Sequence, residues 1–391
     1  MRNFVCKKAI ELKPSGIRRF FDIVSERKDV ISLGVGEPDF ITPWEIRDEG
    51  INVLKRGFTQ YTSNSGLKSL REEISKYLSA NFNVSFSADD TVITVGASEA
   101  IDISLRAIVD EGDEILIPDP SYVSYRPCVE LAGGKAIPVF CDGKNGFKLT
   151  PENLEKVITE KTKALIFPYP NNPTGGIMDS EDIKKIIPTL LKHDILVISD
   201  EIYAELTYGK KHCSIASFKE MQDRVVLIGG FSKSFAMTGW RVGFVCAPTE
   251  IKNALLKIHQ YTVICAPIFS QYAAEKGLKK GKEDGYSSLS AMRKEYDKRR
   301  KFMHKAFNDM GLDCFMPEGA FYLFPCVEST GLTGEEFALK LLEEKKVAVV
   351  PGNAFGKFGE NYVRCSYAYS MKNLMEATEK IAEFVNELKN K

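Results

Sequence analysis

The sequence predicts an α/β fold: a large domain built on a mainly parallel sheet sandwiched by helices, with a smaller α+β domain beside it. Three observations carry this. The chain has 391 residues, more than one hydrophobic core usually organises. Short apolar runs in its centre are continuous rather than alternating, as expected for strands covered on both faces. Helix-sized segments separate those runs, the alternation of an α/β sandwich.

In chain order, the predicted strands are Thr91–Val95, Glu114–Ile117, Ala164–Phe167, Ile195–Ser199 and Val225–Ile228. Helices are expected over Ser98–Val109 and Pro151–Thr159, the second opened by Thr150 as N-cap with Pro151 in the first turn. The polar, glycine-punctuated stretch Lys279–Ser288 reads as a boundary loop. Beyond it, Leu289, Met292, Tyr296, Met303 and Phe307 fall at near-helical spacing and predict a long amphipathic helix over Leu289–Met310. That helix leads into a second unit with strands at Ala320–Phe324 and Val347–Val350. The pattern alone leaves the first forty-odd residues open to either unit. The expected division is residues 48–280 as the large domain, with residues 1–47 and 281–391 as the small one.

Lysine plus arginine equal aspartate plus glutamate at 53 each, so the balanced charge gives no footprint for nucleic acid or an anionic membrane. No run approaches the ~18 apolar residues of a spanning helix, and the N-terminus shows no secretory pattern. Nine cysteines without a C-x-x-C pair read as reduced thiols of a cytoplasmic protein. The four histidines are far apart in sequence, so no metal site is expected.

Ligands of open α/β sheets gather at the C-terminal strand ends, and the residues delivered there are chemically rich. Ile195–Ser199 runs into Asp200-Glu201-Ile202-Tyr203, and Val225–Ile228 into Gly229-Gly230-Phe231-Ser232-Lys233 followed by Thr238-Gly239-Trp240-Arg241. Ala164–Phe167 runs into Asn172-Pro173-Thr174-Gly175, and Thr91–Val95 into Gly96-Ala97-Ser98 at a helix N-terminus, where amides and the helix dipole favour phosphate. Singly these read as a cap, a turn or a surface lysine. Together they supply an anion cradle, an amine, a carboxylate and phenol oxygens, the set that pyridoxal 5′-phosphate requires.

The order of these motifs resembles the class I/II aminotransferases of the fold-type I pyridoxal-phosphate enzymes, the branch holding archaeal and bacterial aspartate and aromatic aminotransferases. The matching stretches include Gly36-Glu37-Pro38-Asp39-Phe40, Asp119-Pro120-Ser121-Tyr122, Asn172-Pro173-Thr174-Gly175, Ser232-Lys233, Pro351-Gly352 and Val363-Arg364. The resemblance implies a seven-stranded, mainly parallel sheet in the large domain. It further implies that Lys233 carries the cofactor and moves the substrate proton, and that Asp200 binds the ring nitrogen. Tyr203 and Asn172 would meet the ring 3′-oxygen, and Tyr122 the ring face. Ala97, Ser98, Ser232 and Arg241 would hold the phosphate, joined by Tyr61 from the neighbouring subunit of a homodimer with shared active sites. Arg364 would clamp the substrate carboxylate, with Gly36 and Asn172 beside it. Many relatives carry a serine three residues before the lysine, where this chain has Gly230.

The resemblance implies amino-group transfer from an L-amino acid to 2-oxoglutarate by a ping-pong route. Ile258–Glu275 contains no arginine or lysine and offers Tyr261, Ile264 and Phe269, so aspartate and aromatic amino acids both stand as donors. Two rival readings share the residues: a carbon–sulfur β-lyase of the same fold, and a non-catalytic aminotransferase-like sensing module.

Overall fold

The structure, a computed structural model, describes residues 4–12 and 29–390. Of the segment 1–47 expected in the small domain, residues 1–3 and 13–28 lie outside the described residues, as does Lys391. The chain forms β1 (Ile31–Ser32), then β2 (Thr91–Thr94), β3 (Glu114–Asp119), β4 (Lys135–Phe140), β5 (Thr162–Phe167), β6 (Leu196–Asp200), β7 (Val225–Gly230) and β8 (Gly243–Cys246). Four short strands follow: β9 (Tyr322–Leu323), β10 (Val347–Ala348), β11 (Val350–Pro351) and β12 (Val363–Ser366).

Strands β2 to β8 make one seven-stranded sheet in the order β2-β8-β7-β6-β5-β3-β4. Only β8 runs antiparallel to its neighbours. Successive side chains of a strand point to opposite faces, and here both faces are covered. Ile93, Leu116, Leu165, Phe167, Val197 and Leu227 belong to one buried cluster, whereas Val92, Ile115, Ile117, Ile166, Ile198 and Ile228 belong to another. Two-sided burial is therefore the physical reason the strands read as unbroken apolar runs.

All five predicted central strands are present, within a few residues of their expected ends. Two further strands escaped the pattern. β4 carries Pro138 and lies at the sheet edge beside β3 alone, the place where a strand tolerates a missing N–H. β8 has only four residues and opens on Gly243, where a Cβ would lie 2.7 Å from the Gly96 carbonyl carbon.

Thr150 caps the helix Pro151–Glu155, its hydroxyl accepting the Asn153 N–H at 3.2 Å. The expected loop Lys279–Ser288 is instead mostly helical: the helix Ile268–Asp284 runs through it and ends on Gly285, whose φ of 67° closes the turn. Gly281 in this stretch is a packing residue, since a Cβ there would lie 2.3 Å from the Tyr286 ring. Its glycine reflects a close approach rather than a chain break. The amphipathic helix is found at Ser287–Asp309. The run Val347–Val350 splits at Val349 between β10, parallel to β1, and β11, antiparallel to β12. A third buried cluster joins these C-terminal elements with Leu33, Tyr203 and Leu206. No helix among the described residues is long and apolar enough to cross a membrane.

Candidate active site

The C-terminal ends of β2, β5, β6 and β7 meet β12 and the segment after β1 around a cavity of about 350 Å³, the size of a small-ligand site. Lys233 leaves the end of β7 and enters this cavity half-buried; its Nζ donates to the Gly36 carbonyl at 2.6 Å. Burial pulls its pKa down to about 8 against the charge of Glu37, with Arg364 and Arg241 adding to the fall. A lowered lysine is a protonation cost in the folded state: the unfolded chain binds more protons between about 8 and the ordinary 10.5, so the penalty is full below that window and fades as pH rises through it. Protein stripped of small ligands should therefore react with an amine-modifying reagent at Lys233 with a midpoint near pH 8. Peptide mapping by mass spectrometry checks this; a midpoint shared with the surface lysines would exclude it.

Across the cavity lies Asp200, the last residue of β6 and buried. Its Oδ2 accepts the Tyr125 hydroxyl at 2.7 Å and its Oδ1 the Ile202 N–H at 3.2 Å. Burial raises its carboxyl, and these two donors oppose the rise. The buried Tyr203 shares a 2.8 Å hydrogen bond with Tyr322 through their hydroxyls; burial drives its phenol well above the usual range.

One end of the cavity is an anion cradle. Ala97 and Ser98 lie in the first turn of the helix Gly96–Ile108, where amides have no intrahelical acceptor. Arg241 lies against this turn: its Nη2 would be 2.6 Å from a Cβ on Gly96, so only glycine leaves the guanidinium room. Arg241 itself has φ of 49° and donates through Nη1 to the Thr238 carbonyl at 2.9 Å. Ser232 also faces the cavity. At position 230 a Cβ would lie 2.9 Å from the Ile202 Cδ1 and 3.3 Å from the Gly243 Cα. The Ile202 side chain and, a little farther off, the β8 backbone thus leave little room for a side chain at position 230.

The second cationic group is Arg364 on β12, buried, with Nη1 donating to Asn172 Oδ1 at 2.8 Å and Nη2 to the Gly34 carbonyl at 2.5 Å. Its guanidinium carbon lies 4.4 Å from the Tyr322 ring centre, and its buried Nε has no partner among the described residues. Gly36 passes so near that a Cβ would meet the Tyr322 hydroxyl at 2.9 Å. Tyr122 lines the cavity, its ring edge-on to Tyr125 at 5.5 Å.

The structure thus gathers every predicted site residue except Tyr61, which is 78% exposed and away from this cavity. It also adds Tyr125 and Tyr322. Neither carried a sequence signal: Tyr125 sits 75 residues from Asp200, and Tyr322 lay in a segment read as a strand. A phosphate dianion, a ring nitrogen and an aldehyde would each find a complementary group here, at the helix N-terminus with Arg241, at Asp200 and at Lys233. The donor set fits pyridoxal 5′-phosphate.

Comparison with known proteins agrees. Residues 28–381 match the family described as aminotransferase class I and II. The putative aminotransferase YugH of Bacillus subtilis is 49% identical over 99% of both chains. The aspartate aminotransferase of Pyrococcus abyssi is 46% identical over 97% of each. The solved aromatic aminotransferase of Pyrococcus horikoshii OT3 superposes with a TM-score of 0.90 at 44% identity, covering 95% of this chain and 99% of that one. The chain belongs to the class I and II aminotransferase family. It is a transaminase dependent on pyridoxal 5′-phosphate, acting on amino acids and oxo acids.

Proposed function

We propose that this transaminase takes the amino group of an aromatic L-amino acid or of aspartate and passes it to 2-oxoglutarate in two successive half-reactions, with Lys233 holding the cofactor. The observation that carries this is one amine, lowered to about 8, facing a buried carboxylate in a cavity with a cationic group at each side. Bound there, pyridoxal 5′-phosphate supplies an electron-withdrawing ring that stabilises negative charge at the substrate Cα.

The chain's own residues do the rest. Lys233 takes the proton from the substrate Cα and returns it on the cofactor side, a task suited to a pKa near the working pH. Asp200 keeps the ring nitrogen protonated. Tyr203 and the amide nitrogen of Asn172, whose oxygen is already taken by Arg364, serve the ring 3′-oxygen. Tyr122 covers a ring face. Ala97, Ser98, Ser232 and Arg241 bind the phosphate by amide, hydroxyl and charge-assisted hydrogen bonds. Arg364 presents its planar fork to the substrate carboxylate, and Gly36 leaves space for it.

A second copy of the chain completes the site through Tyr61. In support, Tyr61 stands with Ile41, Trp44, Leu54 and Phe58 among the exposed large apolar residues. Asn64 ties the Tyr61 loop to the Ile264 carbonyl at 2.9 Å, near Tyr261, which is 87% exposed. An uncharged, aromatic loop favours an apolar substrate side chain, whereas the relatives' names cover both aspartate and aromatic substrates. The domain division of the same reading keeps 48–280 as the cofactor-holding unit. The helices Trp44–Lys55 and Ile268–Asp284 cross its two limits and pack on each other, so each stays whole with that unit. We place the enzyme in the cytoplasm, supported by nine unpaired cysteines.

A half-reaction screen tests the substrate. The purified, cofactor-loaded protein is mixed with each amino acid while its visible absorption is followed. Fastest bleaching by tyrosine or phenylalanine supports the aromatic donor, and fastest bleaching by aspartate the other. Release of pyruvate and ammonia from cystathionine without an acceptor would point to a lyase.

A further inference from the structure

We infer that Tyr125 is a positioning residue for Asp200, holding the carboxylate in one orientation and in its ionised form for the ring nitrogen of the cofactor. This rests on the role proposed above for Asp200.

The geometry is specific. Among the described residues each Asp200 oxygen accepts one hydrogen bond, Oδ2 from the Tyr125 hydroxyl at 2.7 Å and Oδ1 from the Ile202 N–H at 3.2 Å. The carboxylate cannot rotate without breaking both. Tyr125 opens the helix Tyr125–Ala132, and its backbone N–H donates to the Tyr122 carbonyl at 3.2 Å. Its ring meets that of Tyr122 edge-on at 5.5 Å and 81°. One side chain therefore couples the acid at the ring nitrogen to the aromatic at the ring face. Tyr125 is buried in the cluster that contains Ile117, Ile166 and Ile198, which fixes its ring.

The electrostatics agree with the geometry. A carboxylate taken out of water drifts toward its neutral form, and burial does raise Asp200. The Tyr125 hydrogen bond is the largest of the influences opposing that rise. Burial drives the Tyr125 phenol far up, so it remains a donor across the working range. Without it, the carboxylate becomes the better base, draws the proton from the ring nitrogen and leaves the ring a weaker electron sink.

The bland alternative is that a buried phenol merely needs an acceptor. Tyr125→Phe separates the two, because it keeps the ring and removes the hydroxyl. In the cofactor-loaded variant, the 15N shift of a cofactor labelled at its ring nitrogen should move toward the unprotonated value. The pH midpoint of the visible absorption change should move by about one unit. The amino-acid half-reaction at saturation should slow about tenfold with KM little changed, the scale of one hydrogen bond to a charged group. A 15N shift and a midpoint equal to those of the unaltered protein would overturn the inference, however far thermal stability falls. Should Tyr125→Phe fold poorly, a ring-fluorinated tyrosine at 125 keeps the shape and strengthens the donor. It should then move the pH midpoint of the visible absorption change the opposite way; an unmoved midpoint would equally overturn the inference. Failure of the underlying reading looks different, since the ring-nitrogen 15N shift of the unaltered loaded protein would itself lie at the unprotonated value.

Discussion

Lys233→Ala is expected to lower transamination by about 10⁴-fold, the combined scale of losing a general acid–base and the covalent anchor of the cofactor. Among the described residues the side chain makes a single hydrogen bond, to the Gly36 carbonyl, so the variant should fold and the loss should be chemical. Turnover with excess oxo acid measures it, alongside borohydride fixation of cofactor in the unaltered protein followed by peptide mapping. Retained turnover in the alanine variant, or a label away from position 233, would remove the basis of the proposed mechanism.

The second large effect belongs to Arg364. Arg364→Lys keeps a positive charge and loses the fork, and a lysine cannot serve Asn172 Oδ1 and the Gly34 carbonyl together as the guanidinium does. Two charge-assisted hydrogen bonds to a carboxylate at about 1.5–3 kcal/mol each correspond to a fall in kcat/KM of about 10²- to 10⁴-fold. The fall should come mainly through the KM for the amino acid and for the oxo acid alike, because both present the same carboxylate. Steady-state kinetics on each substrate decide it. A loss confined to one half-reaction would mean that Arg364 reads something other than the shared group.

Much of the fold was legible because burial on two faces erases alternation, and continuous β-branched runs at β2, β3, β5, β6 and β7 carry that signature. The two unread strands lacked it for opposite reasons. β4 is half-covered at an edge and interrupted by Pro138, whereas β8 is buried but too short to show a period. Lys279–Ser288 misled because glycine marks both chain breaks and close helix packing, and only the Tyr286 ring against Gly281 distinguishes them. The site was legible wherever a strand end carried a compact motif, as at Asp200-Glu201-Ile202-Tyr203 and Ser232-Lys233. Tyr125 and Tyr322 were not, since their partners lie 75 and 119 residues away and are brought near only by folding. The strand-end set pointed to the cofactor, and resemblance to a known family then supplied the role of Arg364, which spacing alone does not specify.

The catalytic lysine and the carboxylate clamp are each tethered to the stretch that follows β1, one at Gly36 and the other at Gly34. Three pieces of chain far apart in sequence are thus stitched at a single seam between two hydrophobic cores. Whatever fills that seam is gripped by both bodies at once, and mass action lends its binding free energy to each of them. Occupancy then acts as a rivet: the filled protein resists opening as a unit, because the bound group adds its grip to the hydrogen bonds and apolar packing already there.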